Sequence, residues 1–144
     1  MIYVSIIVAE NCQDDCEPLR LSTVLAFDYR GHEVELEGAF EGLVDPRGIA
    51  CDPTLDRIYV SDASEDAVRV FDAEGRASEL PNPIESLSRP LGLHFDATYN
   101  RLYVVNQGSS VITVYEPDGS PAQGLAVPAF PKLNAPEAIA FRPF

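Results

Sequence analysis

Short runs of β-branched and aromatic residues alternate with polar, turn-forming clusters along most of the chain. R-I-Y-V-S at Arg57–Ser61 and A-V-R-V-F at Ala67–Phe71 are two such runs. These residue types suit the pleated, half-buried surface of a sheet, and no segment carries the period of an amphipathic helix. Between Asp52 and Arg57 the sequence D-P-T-L-D-R offers a proline that presets φ and aspartates that bond their own backbone, so a hairpin is expected there. D-A-E-G after Val70-Phe71 and E-P-D-G after Val114-Tyr115 each end in a glycine able to take the positive φ of a tight turn.

The pattern repeats. Pro46 to Gly75 recurs 44 positions later as Pro90 to Gly119, with nine of thirty residues identical, which fixes the phase of the two copies. Each copy reads as four antiparallel strands: innermost near 47–52, then 57–61, 67–72, and an outer one near 76–80. That is the content of a propeller blade. Ile2-Tyr3-Val4-Ser5 matches Ile58-Tyr59-Val60-Ser61, Thr23 to Gly31 matches Ala67 to Gly75, and Pro136 to Pro143 matches Pro46 to Pro53. Residues 1–144 are therefore expected to form one all-β domain of three blades, with repeats at about 1–45 (carrying an insertion at 9–20), 46–89 and 90–135, then a closing inner strand at 136–142.

Three blades do not close a ring, since propellers run from about four to eight. The free edges would be Ile2–Val8 and Glu137–Phe141, and free edges are ordinarily avoided. Pairing them between two copies removes both, so a homodimer closing a six-bladed propeller is the expectation. The alternative is a piece of a longer propeller.

The motifs P-x-G-I/L, D/N-R-I/L-Y-V, V-x-V-F/Y-D/E and a following G resemble NHL and YVTN-type repeats and, more loosely, the six-bladed propellers of the gluconolactonase family. The resemblance implies a propeller that serves as a non-enzymatic binding scaffold for a ligand or a protein, with a lactonase- or lyase-like enzyme as the alternative. In the gluconolactonase family several ligands of a mouth-bound divalent metal follow the proline that opens an innermost strand. The matching positions are Arg47, Leu91 and Glu137; leucine cannot ligate and arginine repels a cation, so that metal site does not carry over.

Composition narrows the partners. A formal charge of −13 with Lys132 as the single lysine argues against nucleic acid and anionic membrane, while 46% hydrophobic residues suffice for a core. The apolar start M-I-Y-V-S-I-I-V-A has no basic flank and is too short to span a bilayer, which points to a cytoplasmic chain. In the insertion, Glu10, Asn11, Asp14, Asp15 and Glu17 are oxygen donors suited to calcium, but the spacing matches no EF-hand loop. No cofactor is therefore expected, with Asp14, Asp15 and Glu17 kept as weak calcium candidates. Cys12 and Cys16 suit a disulfide, a soft-metal half-site or free thiols, and Cys51 is expected to be buried in an innermost strand.

The channel mouth supplies the candidate site: Arg47 and Glu137, with Asp62 and Asn106 at corresponding strand ends. Arginine suits a small anionic ligand bearing carboxylate or phosphate. The competing reading pairs Arg47 with Glu137 of a neighbouring blade and has Asp62 and Asn106 capping turns. His32 falls on an outer strand, and His94 replaces Ala50 and Ala140 of the other repeats as a packed residue between blades. No nucleophile elbow, P-loop or zinc spacing is present, so the sequence leans away from an enzyme.

Overall fold

In a computed structural model, which describes residues 1–6, 23–124, 130 and 133–142, the alternating runs become ten strands in three sheets. The first sheet has the order β1 (Ile2–Ile6), β2 (Thr23–Phe27), β3 (Glu33–Val34). The second runs β4 (Pro46–Asp52), β5 (Arg57–Asp62), β6 (Ala67–Asp72), β7 (Ala77–Ser78), and the third β8 (Pro90–Asp96), β9 (Arg101–Asn106), β10 (Val111–Tyr115). All neighbours are antiparallel.

The two copies of the repeat share one register. Ala50 faces Tyr59 and His94 faces Tyr103, and in both sheets the register slips just after the opening proline. Proline has no N–H for the ladder, and in β4 the Gly48 N–H leaves it to bond the Ser61 hydroxyl at 2.8 Å, so the first residues of the strand bulge. The hairpins close by side-chain turns: Asp52 Oδ1 accepts from the amides of Thr54 and Leu55, at 2.8 and 3.2 Å, and Asp96 Oδ1 from Thr98 at 2.8 Å. The chain then passes through positive φ at Asp56 and Asn100, residues whose short polar side chains tolerate it.

The apolar residues of these strands bury between sheets. Phe40 meets Phe71 edge-on at 5.0 Å and joins Val24, Ile58 and Val60 between the first and second sheets. Tyr59 stacks on Phe95 at 6.0 Å amid Val68, Val70, Leu102 and Val104, between the second and third.

The outer strands are shorter than expected. The outer strand shrinks to the two residues of β7, although Leu80 and Ile84 beyond it are buried in the core and Ile84 bridges Val68; among the described residues after β10 there is a lone bridge from Tyr115 to Pro121. Residues 136–142 run beside β8, and among the described residues no strand pairs with them. Of the expected edge Ile2–Val8, β1 covers Ile2–Ile6; Ile7 and Val8, and the insertion after them, lie outside the described residues. Among the described residues no helix is long and apolar enough to cross a membrane, which says nothing of strands.

The tyrosines at matching positions carry a pH signature. Burial pushes the phenols of Tyr3, Tyr59 and Tyr103 above their ordinary value. A raised acid group favours its neutral form when folded. Its contribution is complete below the ordinary pKa of about 10 and is lost as pH rises through the raised value. Urea midpoints are therefore expected to fall above about pH 10. The Tyr59→Phe variant should fall less steeply and stay near wild type at neutral pH, since the buried Tyr59 hydroxyl has no hydrogen-bond partner among the described residues. An unchanged alkaline slope would refute burial of that phenol as a cause.

Candidate functional site

Loops gather at the end of the sheets where β4 and β8 begin. Asp66, in the β5–β6 turn, accepts the Leu87 amide on its carbonyl at 2.9 Å and the Arg89 amide on Oδ1 at 2.7 Å. Ala63 N–H donates to the Asp45 carbonyl at 2.9 Å, and Gln107 N–H to that of Arg89 at 3.1 Å. The second-to-third-strand turns thus lie against the connections between sheets, and the rim is tied together largely by backbone.

Inside this rim the innermost segments approach closely. A Cβ on Gly48 would overlap the Leu91 carbonyl oxygen and lie 2.9 Å from the Leu93 nitrogen, and one on Gly92 would lie 2.8 Å from the Ala138 Cα. Gly48 and Gly92 are absent from the positive-φ residues, so the glycines provide space rather than an unusual backbone. Ser61 fixes the approach: its Oγ accepts from Gly48 N–H and donates to the Leu91 carbonyl at 2.5 Å.

A cavity of about 450 Å³ opens here between β4, β8 and residues 137–139. Arg47, Arg89, Gln107 and Glu137 supply its polar wall, and Leu91 and Ile139 part of its apolar one. Arg47 is engaged by its own neighbour: Nε lies 2.8 Å and Nη2 3.1 Å from the two oxygens of Asp45. Glu137 Oε1 instead accepts from the Gln107 amide at 3.3 Å. Within the chain, then, Arg47 pairs with Asp45, two residues away, and Glu137 with Gln107, in the turn after β9. Arg89 is exposed, and its guanidinium makes no ion pair among the described residues.

Asp62 and Asn106 reach this end of the sheets but not the cavity. Asp62, wholly buried, accepts the amides of Val44 at 2.7 Å and Asp45 at 3.0 Å. Asn106 accepts from Ser88 N–H at 3.4 Å and donates its amide to the Val104 carbonyl at 3.3 Å and the Thr113 hydroxyl at 2.9 Å. Both hold the loops that enter innermost strands and so position the rim.

The remaining candidates are dispersed. His94 packs face to face on Phe141 at 4.3 Å, as a packed residue should. His32 precedes β3 rather than lying on it, exposed, with Nδ1 3.2 Å from Asp28 Oδ2. Cys51 is on β4 but exposed, not buried. It occupies the repeat position of Phe95 and Phe141 with a far smaller side chain, so it cannot fill the joint with the first sheet as Phe95 fills the next one. Asp14, Asp15, Glu17, Cys12 and Cys16 lie outside the described residues. Among the described residues no three of His, Cys, Asp and Glu gather as a metal site.

Arg89 escapes a search confined to the residue after each proline. The signal lies just before the proline, in the charge reversal between D-P-R-G at Asp45–Gly48 and R-P-L-G at Arg89–Gly92.

The fold and this rim define a propeller-like all-β protein. No family model and no curated protein matches the sequence. Among solved structures the chain is similar to a β-propeller in the crystal structure of a nidogen/laminin complex, with a TM-score of 0.58 and 20% identity, covering 69% of this chain and 38% of that one. The likeness is one of fold, and this chain spans well under half the length of that one.

Proposed function

We propose that this chain is a non-enzymatic binding scaffold of the NHL/YVTN-like propeller type, whose rim takes a carboxylate- or phosphate-bearing group at Arg89. The observation that carries this reading is the contrast between two arginines on one cavity: Arg47 is neutralised by a two-point pair with Asp45, whereas Arg89 has no such partner among the described residues. A guanidinium fork matches a carboxylate or phosphate in two parallel bonds, and apolar Leu91 and Ile139 beside it suit a ligand with a hydrocarbon part. The similar propeller comes from a protein–protein complex, which agrees with a binding role, and an aspartate or glutamate of a protein partner offers the same chemistry as a small acid. The lactonase- or lyase-like alternative draws no support from the donor set, in which leucine and arginine occupy two of the three mouth positions.

Malonate titrated against labelled protein, followed through arginine side-chain NMR signals, tests the reading. Saturable shifts are expected at the Arg89 Nε–H, and Arg89→Gln should weaken binding about 10- to 100-fold, the range of a charge-assisted pair. Arg47→Gln should matter less, because Asp45 already occupies that guanidinium. No saturable shift, or equal affinity in Arg89→Gln, overturns the assignment.

A further inference from the structure

β5 is paired on its inner side by β4, and β9 by β8, while among the described residues β1 pairs only with β2. The consequence shows in exposure: Ile2 and Val4 are 51% and 42% exposed, whereas Ile58 and Val60 at the same repeat positions are 3% and 0% exposed. Residues 136–142, P-E-A-I-A-F-R, present the converse. They carry the sequence of an innermost strand and lie against β8, with Phe141 stacked on His94 at 4.3 Å and tilted against Tyr103 at 4.6 Å, yet among the described residues they pair with no strand.

Ser5 shows what belongs between them. Its Oγ donates to the Arg47 carbonyl at 2.8 Å, as Ser61 Oγ donates to that of Leu91 at 2.5 Å. Ser61 Oγ also accepts the amide of Gly48, from the inner strand of its own sheet, at 2.8 Å. No amide among the described residues fills that role at Ser5, and the residue in the repeat position of Gly48 is Ala138.

We infer that residues 136–142 of a second copy of this chain dock antiparallel on β1, in the register of β4 on β5. Pro46↔Asp62, Ile49↔Val60, Ala50↔Tyr59 and Cys51↔Ile58 translate into Pro136 opposite Ile6, Ile139 opposite Val4, Ala140 opposite Tyr3 and Phe141 opposite Ile2. The Ala138 N–H is donated to Ser5 Oγ. The contact is reciprocated about a two-fold axis, so both edges are used and the two chains close on each other. Ala138 brings a methyl to a position where Gly48 has none, so this joint is wider than the one within the chain. The inference goes beyond the binding role of the rim and stands without any ligand.

Two measurements on the 144-residue chain test it. Light scattering across a wide dilution series should give twice 15.7 kDa. In a background with Cys12, Cys16 and Cys51 changed to serine, a Val4→Cys chain mixed with an Ile139→Cys chain should oxidise to a covalent dimer, since opposed Cα atoms in antiparallel strands lie about 4.5 to 5.5 Å apart, within disulfide reach. Val4→Cys mixed with Ala140→Cys, one residue out of register, should link at least tenfold more slowly. A folded monomer, as expected if a segment of a longer polypeptide covers β1, overturns the inference. So does an open-ended series of larger species, or a dimer in which the shifted pair links as fast as the matched one.

Discussion

Gly48→Ala is expected to separate the second sheet from the third and to lower the melting temperature by about 10 °C, the shift that about 3 kcal/mol produces in a domain of this size. The added Cβ would overlap the Leu91 carbonyl oxygen and meet the Leu93 nitrogen at 2.9 Å, both backbone atoms that no rotamer change can move. The same carbonyl is held in place by Ser61, whose hydroxyl also carries the Gly48 amide. Pushing the sheets apart therefore breaks the Ser61–Leu91 hydrogen bond and loosens the packing of Tyr59 on Phe95 behind it. Thermal unfolding by circular dichroism reads the effect. Ser61→Ala in the Gly48→Ala background should cost much less than it does alone, because the clamp is already broken. Gly48→Ala within about 1 °C of wild type would show that the close approach does not hold the sheets together.

The parts of this fold that were legible in the sequence are those set by local chemistry repeated at a fixed interval. The hairpins at Asp52–Arg57 and Asp96–Arg101, and the strands flanking them, depend on proline, aspartate and alternating apolar residues, all visible in the letters. Features that depend on a neighbouring sheet were not. Cys51 was expected to be buried because its position is inner, but burial there needs a side chain as long as Phe95 to fill the joint. The outer strand near 76–80 follows from blade content alone; only Ala77 and Ser78 pair, and Leu80 reaches the core without extending the ladder into the prolines at 81 and 83. At the rim, Arg47 and Glu137 were found by motif position, yet the ion pair that decides their availability joins Arg47 to Asp45. Arg89 was passed over because a charge acquires meaning as unpaired only once its surroundings are known.

Asp62 and Asn106 occupy one repeat position, differ by a single atom type, and are not interchangeable. Asp62 presents two acceptors to two amides, Val44 N–H and Asp45 N–H. In Asp62→Asn one acceptor becomes an NH₂ facing an N–H donor, which leaves a buried amide unsatisfied and is expected to cost about 2 kcal/mol; Asp62→Ala, losing both bonds, should cost about 3 to 4. Asn106 uses its amide as donor to the Val104 carbonyl, so Asn106→Asp sets a carboxylate against a carbonyl oxygen in a site only 2% exposed. It should be at least as destabilising as Asp62→Asn, although it restores the residue found in the other repeat. Urea denaturation of the two single swaps and the double swap decides the matter. Independent sites predict that the double swap loses the sum, because the two caps serve different loops. If the double swap recovers stability, the residues exchange roles and the capping assignment fails. Asp62→Asn also reaches the cavity: it frees the loop holding Asp45, the partner of Arg47, so malonate affinity should change in a variant whose altered side chain never touches the ligand. An affinity unchanged at full folding would detach the cap from the rim and leave Asp62 with a purely local role.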